Sequence, residues 1–227
     1  MGTAAGVSPF SVNWLVNKLN REYIAVAARD HACGRLLDLG CGQQPYEDML
    51  TASVESCIGL EYDRARYILT SPDVWGSALD LPFRDASFDS VLAAQMLEHV
   101  PEPGQVFQEI GRVLKPGGYL ILTAPHIWGI HEEPHDYFRF TSYGLDYLAR
   151  KSGLEPLSIR PMAGYWVTAG ARFCYYLQQF EKIGLGFLIR PAYALVQILA
   201  LGLDRVHCIR SDAWNFILVA CKKQGAP

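Results

Sequence analysis

The sequence lacks paired cysteines, a strong excess of either charge and a long uninterrupted apolar run. Its six cysteines are scattered and none forms a Cys-x-x-Cys pair, which disfavours a zinc motif or a disulfide framework. Lysine and arginine number 20 against 23 aspartate and glutamate, so no basic surface indicates a nucleic-acid partner. No basic-then-apolar secretory signal opens the chain. These absences favour a reducing, cytoplasmic location.

The composition is that of a folded domain. Hydrophobic residues make up 50% of the 227 residues and charged residues 19%, so the chain can bury a sizeable core. This length fits a single domain, 1–227. Residues 1–30 are predicted to form an N-terminal helical segment, because Ser11 can cap a helix whose apolar positions recur at helical spacing.

The stretch LLDLGCG, residues 36–42, has the features of a ligand-binding turn. Its apolar run contains Asp38 and is typical of a buried parallel strand. Gly40 and Gly42 permit a sharp turn and a close approach between the backbone and a ligand. The first amides of a following helix would meet the same ligand. Glycine pairs also occur in plain structural turns, so the rest of the chain must decide between the two interpretations.

An acid ends the second predicted strand. Glu61 lies 23 residues after Asp38, and one carboxylate can accept hydrogen bonds from both hydroxyls of a ribose. Further predicted strands, near 73–79, 89–94 and 119–123, alternate with helices. This alternation predicts an α/β fold with a parallel sheet covered on both faces.

Five stretches together resemble the class I S-adenosylmethionine-dependent methyltransferases, in particular types 11 and 25. They are LLDLGCG, GLEYD, ALDLPF, SFDSVLAAQMLEHV and RVLKPGGYLILTAP, and they cover roughly residues 34–125. The resemblance implies a Rossmann-like three-layer sandwich with a seven-stranded, mostly parallel sheet and an antiparallel last strand. It implies S-adenosyl-L-methionine as cofactor, S-adenosyl-L-homocysteine as product and a small-molecule acceptor.

The resemblance also implies the residues that hold the cofactor. The glycine turn would hold its methionine end, Glu61 its ribose, and Gln95 would lie beside the sulfonium. Ala78 and Leu79 would lie against adenine, where Ser77 replaces the acid that many relatives carry. The implied cofactor-binding residues are Asp38, Gly40, Cys41, Gly42, Glu61, Ala78, Leu79 and Gln95.

The stretch 124–141 leaves the fifth predicted strand at the edge where the ligand is expected, and it holds three of the six histidines within a span of ten residues. His131 and His135 are candidate general bases, with Asp136 as an orienting acid, because imidazole titrates near neutrality. No residue is assigned to a metal, since the spacing matches no specific motif. The residues that could supply metal ligands are His126, His131, Glu132, His135 and Asp136.

A structural interpretation of the same loop is also open. Asp136 and Arg139 can pair to fix the loop, and Thr141 can cap a helix over 142–151. Glu98 and His99, after the fourth strand, are interpreted as structural because the resembling family usually closes a loop there. They are left outside catalysis, although His99 could approach the cofactor.

The segment 165–206 is unusually apolar and is inserted between the last two predicted strands. It contains 19 residues in a run long enough by count to span a bilayer, but Arg190 and Pro191 divide this run into two predicted helices. A transmembrane span is disfavoured because both flanking strands must join one sheet. The segment is expected to act as a lid on an apolar acceptor pocket, as a homodimer interface or as a peripheral membrane contact.

The predicted function is S-adenosylmethionine-dependent O- or N-methylation of a small apolar or aromatic acceptor in biosynthesis, by in-line displacement with base assistance. One alternative is another reaction of the same cofactor that uses the histidine-rich loop 126–136, with or without a metal. A second alternative is a non-catalytic cofactor-binding module that holds a partner or a membrane through 165–206.

Overall fold

The computed structural model describes residues 8–62 and 72–225 and divides the chain into two compact units. Each unit draws on several stretches of chain, and the single-domain organisation stays a prediction. The α/β unit comprises Ile24–Pro125, Ile130–Arg160 and Phe216–Pro227. The helical unit comprises Met1–Tyr23, His126–Gly129 and Pro161–Asn215. Of the predicted segment 1–30, residues 1–7 lie outside the described part of the chain.

A seven-stranded sheet with the order β3-β2-β1-β4-β5-β7-β6 forms the centre of the α/β unit. The pairings of β1 with β2 and β4, of β2 with β3, and of β4 with β5 are parallel. The predicted Rossmann-like sheet with an antiparallel end is thereby confirmed. The strands are β1 (Arg35–Leu39), β2 (Ser56–Glu61), β3 (Val74–Trp75), β4 (Phe88–Ala94), β5 (Leu114–Pro125), β6 (Leu154–Pro161) and β7 (Asn215–Lys222).

The central strands are apolar because helices and loops cover both faces of the sheet. In β1 four of the five residues are buried, and β4 and β5 carry similar runs. The strand predicted over 73–79 is much shorter, because β3 pairs with β2 over two residues only. The core side chains include Leu37, Leu39, Val91, Phe107, Leu120 and Leu122.

Two helices of the α/β unit form where the sequence predicted them. α3 (Pro103–Val113) opens on a proline, whose missing N–H has no partner at a helix start in any case. α4 (Ser142–Lys151) is capped by Thr141, whose hydroxyl accepts a hydrogen bond from the Gly144 N–H at 3.1 Å. The other elements on this part of the chain are α1 (Trp14–His31), α2 (Glu47–Leu50) and a 3-10 turn at Leu97–His99.

The helical unit contains α5 (Tyr165–Phe180) and α6 (Gly186–Val206). The break between the two helices occurs at Gly184, whose φ of 90° is easily reached only without a side chain. The predicted division at Pro191 is wrong, because α6 continues through this residue. Pro191 is exposed and lies near the start of α6, so solvent can reach the Phe187 carbonyl that loses its helical donor.

A buried glutamine holds the N-terminal residues in the helical unit. The Gln197 side chain is fully buried on α6, and its Oε1 accepts a hydrogen bond from the Leu15 N–H at 2.9 Å. Its Nε2 donates to the carbonyls of Pro9 and Ser11, each at 3.0 Å. Gln197 therefore satisfies backbone groups around the start of α1 and orders this segment.

Among the described residues, Ile183–Val206 is long and apolar enough to cross a membrane by length and composition. Core helices of soluble proteins pass the same test, but such helices are mostly buried. Here 22% of the apolar window is buried. The lid, dimer and membrane interpretations of 165–206 all stay predictions at this point.

Candidate functional site

A cavity of about 300 Å³ opens in the α/β unit at the carboxyl ends of the parallel strands. Open parallel sheets bind ligands at this edge, and the volume lies at the lower end of the range of small-molecule sites. The residues that line it follow β1, β2, β3 and β4 or belong to the loop after β5. They are Leu39, Gly40, Leu60, Glu61, Tyr62, Gly76, Ser77, Ala78, Leu79, Gln95, Met96, His99, Val100, Pro101, Glu132, His135 and Tyr137.

The turn after β1 brings backbone to the cavity wall. Gly40 has a φ of 72° and its N–H donates to the Leu60 carbonyl at 2.9 Å. A Cβ on Gly40 would lie 2.7 Å from the Cβ of Met96. Glycine is therefore required at this position by both backbone conformation and space, as the sequence predicted for a close approach.

The carboxylate of Glu61 is fixed at the end of β2. Its Oε2 accepts a hydrogen bond from the Gly42 N–H at 2.8 Å, and its Oε1 accepts one from the Tyr62 N–H at 2.8 Å. The two sequence-predicted features, the glycine turn and the acid after the second strand, thus meet directly. Both hydrogen bonds join a backbone N–H to a carboxylate oxygen and are charge-assisted. They therefore orient the Glu61 side chain before a ligand binds.

Three of the predicted cofactor-binding residues, Asp38, Cys41 and Gly42, are not among the residues that line the cavity. Burial raises the pKa of Asp38 to about 7, and the nearby charge of Glu61 adds to the effect. Burial likewise raises the pKa of the Cys41 thiol to about 12. Gly42 lies with them, and its amide is engaged by Glu61. The five other predicted cofactor-binding residues, Gly40, Glu61, Ala78, Leu79 and Gln95, line the cavity.

Hydrogen bonds fix the wall that contains Ala78 and Leu79. The Ser77 hydroxyl accepts a hydrogen bond from the Leu79 N–H at 3.1 Å, and Gln105 Nε2 donates to the Leu79 carbonyl at 2.6 Å. Ser77 therefore shapes the turn, in addition to lining the cavity.

Gln95 follows β4 in a left-handed conformation, with a φ of 52°. Its N–H donates to the Thr123 carbonyl at 3.1 Å, and its Nε2 donates to the Thr123 hydroxyl at 2.9 Å. Two bonds to one residue of β5 hold the strained backbone in place. The predicted position beside the reacting group is thus a rigid part of the cavity wall.

The loop between β5 and α4 is fixed by an ion pair. Arg139 donates to both oxygens of Asp136, at 2.6 and 2.7 Å, and holds the pKa of that carboxyl well below its usual range. Asp136 Oδ2 also accepts a hydrogen bond from the His131 N–H at 2.9 Å. The Phe140 N–H closes the loop by donating to the Pro125 carbonyl at 2.8 Å. These are the contacts that the loop-fixing interpretation of the sequence expects.

The histidines of this region take different positions. His135 lines the cavity, and its Nδ1 lies 3.1 Å from the Tyr137 hydroxyl. His131 and Asp136 are not among the lining residues, and His126 lies in the helical unit. His99, which the sequence left outside catalysis, lines the cavity. Its place in the short turn that follows β4, a strand that ends at the ligand edge, is the signal that could have identified it.

Comparisons with known proteins agree with this geometry. The model of the methyltransferase domain family matches residues 37–122. The chain is 33% identical over 169 residues to 27-O-demethylrifamycin SV methyltransferase of Amycolatopsis mediterranei, covering 61% of this chain and 62% of that protein. It is 29% identical over 171 residues to a ubiquinone biosynthesis O-methyltransferase of Nitrosococcus oceani, covering 62% and 71%. The chain therefore matches less than two thirds of the length of the rifamycin relative.

A solved structure extends the similarity over most of the chain. The [4+2]-cyclase SpnF superposes with a TM-score of 0.58 at 26% sequence identity, covering 91% of this chain and 81% of that protein. The similarity therefore reaches beyond the residues that the domain model matches.

Proposed function

We propose that this chain is a class I S-adenosylmethionine-dependent methyltransferase that transfers a methyl group from that cofactor to a small-molecule acceptor, in keeping with the methyltransferase domain model that matches residues 37–122. S-adenosylmethionine is the cofactor of the family, as the sequence predicted. The observation that carries the proposal is the Glu61 carboxylate, oriented by the Gly42 amide on the same cavity wall as the Gly40 turn.

The proposed cofactor position follows the order of the strands. The ribose hydroxyls donate to Glu61, and adenine lies against Ala78 and Leu79 on the wall beyond β2. The methionine end would lie over the Gly40 turn, where the ionised form of Asp38 would favour its ammonium group. Gln95 lies beside the sulfonium. This arrangement leaves the side of the cavity lined by His99 and His135 for the acceptor.

The chemistry requires alignment more than activation. The acceptor atom attacks the methyl carbon while the bond from carbon to sulfur breaks, and S-adenosylhomocysteine leaves with the electron pair. One relative is named for an O-demethyl substrate, and the other is named an O-methyltransferase. Both names favour a hydroxyl acceptor here. We propose His135 as the base that takes the hydroxyl proton, since it alone of the predicted catalytic residues lines the cavity.

A second candidate function is favoured by the similarity to SpnF, which is a [4+2]-cyclase. In that case the cavity would bind S-adenosylmethionine without consuming it and would promote another reaction of a bound acceptor. A purely cofactor-binding module would also leave the cofactor unchanged. Formation of S-adenosylhomocysteine separates methyl transfer from both alternatives.

The test of the proposal has two steps. Calorimetric titration of the full chain is expected to give micromolar binding of S-adenosylmethionine and S-adenosylhomocysteine and no binding of NAD, the control dinucleotide. Incubation with a panel of phenols and other apolar hydroxyl compounds is then expected to release S-adenosylhomocysteine only with an acceptor present. Failure of both adenosyl compounds to bind would contradict the assigned cavity. Binding without release for any acceptor would favour the second candidate.

A further inference from the structure

A buried carboxylate lies beside the cavity without a hydrogen-bond partner. Glu98, in the 3-10 turn after β4, has a fully buried side chain, and neither carboxylate oxygen has a hydrogen-bond partner among the described residues. Burial raises the pKa of this carboxyl to about 8. Its backbone carbonyl holds the loop by accepting from the Tyr137 N–H at 2.8 Å. A buried acid with unsatisfied oxygens requires an explanation, which is commonly a proton, a cation or a water.

One imidazole beside Glu98 has a defined tautomer. The Nδ1 atom of His99 lies 2.6 Å from the His135 carbonyl, which can only accept, so Nδ1 carries the hydrogen. In the neutral ring the lone pair is then on Nε2, which lies 3.8 Å from Glu98 Oε1. An N–H donated to a backbone carbonyl is the contact that orients histidines as metal ligands.

A second imidazole approaches the same oxygen. His131 Nε2 lies 4.0 Å from Glu98 Oε1, and His131 Nδ1 lies 3.4 Å from Asp136 Oδ2. Arg139 Nη2 also lies 3.4 Å from that Nδ1, but it already donates to Asp136 Oδ2 at 2.7 Å. The ionised carboxylate is thus the natural acceptor for an N–H on Nδ1. This orientation is the carboxylate–histidine arrangement found behind metal ligands.

We propose that Glu98, His99 and His131 form a site for a divalent cation of the zinc class at the wall of the cavity. One atom from each of these three side chains lies within 4.8 Å of the others, and two imidazoles with one carboxylate are the protein ligands of many catalytic zinc sites. Tetrahedral zinc places such atoms roughly 3.4 Å apart, so a modest inward shift of the rings completes the geometry. Of the ligands that the sequence suggested, only His131 belongs to this set.

The site has a consequence that rests on the proposed function. His99 lines the cavity, so an open position of the ion would face the acceptor side. A bound cation lowers the pKa of a hydroxyl that coordinates it and thereby favours the ionised acceptor oxygen. A bound ion would also stabilise the ionised form of Glu98, which burial alone disfavours.

Metal binding can be measured without cofactor or acceptor, so its failure is distinguishable from failure of methyl transfer. The full chain, freed of metal with a chelator and then of the chelator, is titrated with Zn²⁺. We expect one ion per chain and, since each substitution removes a ligand, an affinity at least ~10-fold to 100-fold weaker in Glu98→Gln and His131→Ala. His135→Ala is the matched control, because its backbone carbonyl still orients His99.

Two further measurements keep the result unambiguous. Circular dichroism and thermal unfolding establish that the variants are folded, and Co²⁺ substitution is expected to give visible absorption bands that Glu98→Gln weakens. Equal Zn²⁺ affinity in wild type and Glu98→Gln would overturn the site. Binding that disappears after alkylation of the exposed thiols Cys33 and Cys208 would assign the ion to those thiols and would overturn it as well.

A different observation concerns the helical unit by itself. α6 buries Tyr193, Gln197 and Ala200 on one face and exposes large apolar side chains on the other. The exposed apolar residues recur at helical spacing and include Phe187, Leu188, Leu195, Ile198, Leu199, Leu203 and Val206. This arrangement is that of a helix lying in an interface rather than one surrounded by lipid.

The charges of this segment indicate what covers the apolar face. Between residues 161 and 215, the exposed charged side chains described are all arginines, namely Arg172, Arg190, Arg205 and Arg210. The three acids there are Asp204, which is buried and accepts from the Gly164 N–H, and the half-buried Glu181 and Asp212. In a dimer formed through this unit, the arginines of one copy would face those of the other and repel them. An anionic lipid surface would instead attract these arginines.

We infer that the exposed face of α6 docks on the surface of an anionic membrane. Vesicles of phosphatidylcholine with phosphatidylglycerol are expected to retain the full chain on flotation, and pure phosphatidylcholine much less. Leu195→Glu with Ile198→Glu should abolish retention, and each of Arg190→Gln and Arg205→Gln should weaken it about fivefold. Tyr143→Glu, at an exposed aromatic residue of α4, is the control.

Retention that is equal in the Leu195→Glu, Ile198→Glu variant and the wild type would overturn this inference. So would a stable dimer in solution that the same double substitution dissociates while no vesicle binding is seen. The second result would assign the apolar face to another copy of the chain.

Discussion

Replacing Glu61 with alanine is expected to weaken S-adenosylmethionine binding at least ~100-fold, because two charge-assisted hydrogen bonds to the ribose are lost at about 1.5 kcal/mol or more each. The substitution also leaves the Gly42 and Tyr62 amides, now held by the carboxylate, without their acceptor. Calorimetric titration of the variant measures the change directly. A loss of this size would make Glu61 the principal determinant of cofactor affinity in the cavity.

The matched control is Glu55→Ala. Glu55 is an exposed glutamate just before the opposite end of β2, so its replacement removes the same charge beside the same strand without touching the cavity. The affinity of this variant for the cofactor should equal that of the wild type. If Glu61→Ala and Glu55→Ala bind equally well while both remain folded, the ribose does not lie on Glu61, and the cofactor position proposed above is wrong.

Replacing His135 with alanine is expected to lower kcat by about 10²–10⁴ while the dissociation constant of S-adenosylmethionine stays unchanged. In the proposed mechanism the imidazole of His135 takes the hydroxyl proton as the new bond forms, and His135 is not among the residues proposed to hold the cofactor. The rate of S-adenosylhomocysteine release at saturating cofactor measures kcat. His207→Ala, at an exposed histidine of the helical unit, controls for loss of an imidazole in general.

The proposed base role of His135 and the proposed cation site can be tested separately. His135→Ala should retain the ion and lose turnover, whereas Glu98→Gln should lose the ion first. If His135→Ala turns over at the wild-type rate, the acceptor is ionised at neutral pH without the imidazole, and His135 has no role as a base. In that case activation of the acceptor oxygen would fall to the ion alone.

Five of the eight predicted cofactor-binding residues line one cavity because the features that position them are local. Gly40 and Glu61 each follow a recognisable buried strand, and parallel strands bring their carboxyl ends to one edge. Ala78, Leu79 and Gln95 line the cavity for the same reason. Local patterns and the order of strands were sufficient to bring these residues together.

The other side of the site depends on contacts that no local pattern specifies. Glu98 approaches His131 across more than thirty residues of chain, and the Tyr137 amide bonds to the Glu98 carbonyl. The residues that the sequence offered as possible metal ligands all lie inside the loop 126–136, although their spacing matches no specific motif. The structure instead combines one loop histidine with two residues after β4, because the Asp136–Arg139 pair folds the loop back toward them.

The composition of the apolar segment 165–206 also failed to predict how its helices are divided and which face of α6 is buried. Pro191 was expected to divide it, yet the proline lies on the exposed side of α6, where a missing helical hydrogen bond is tolerated. Counting apolar residues in 165–206 could not show that one face of the helix is buried by residues such as Tyr193 and Gln197. The exposed arginines of this segment became informative only once the buried face of α6 was known.

The buried acid of β1 sets a conflict between holding a ligand and holding the fold. The pKa of Asp38 in the folded chain is about 7, well above the value of 3.8 for a free carboxyl. Across that window the folded state binds a proton that the unfolded state releases, so the free energy of unfolding decreases as pH rises from about 4 to 7. The substitution Asp38→Asn would relieve this penalty above neutrality. Without a ligand, the folded chain is thus less stable because it buries Asp38, whose ionised form a cationic ligand would favour. Stability and function are therefore traded against each other within a single strand.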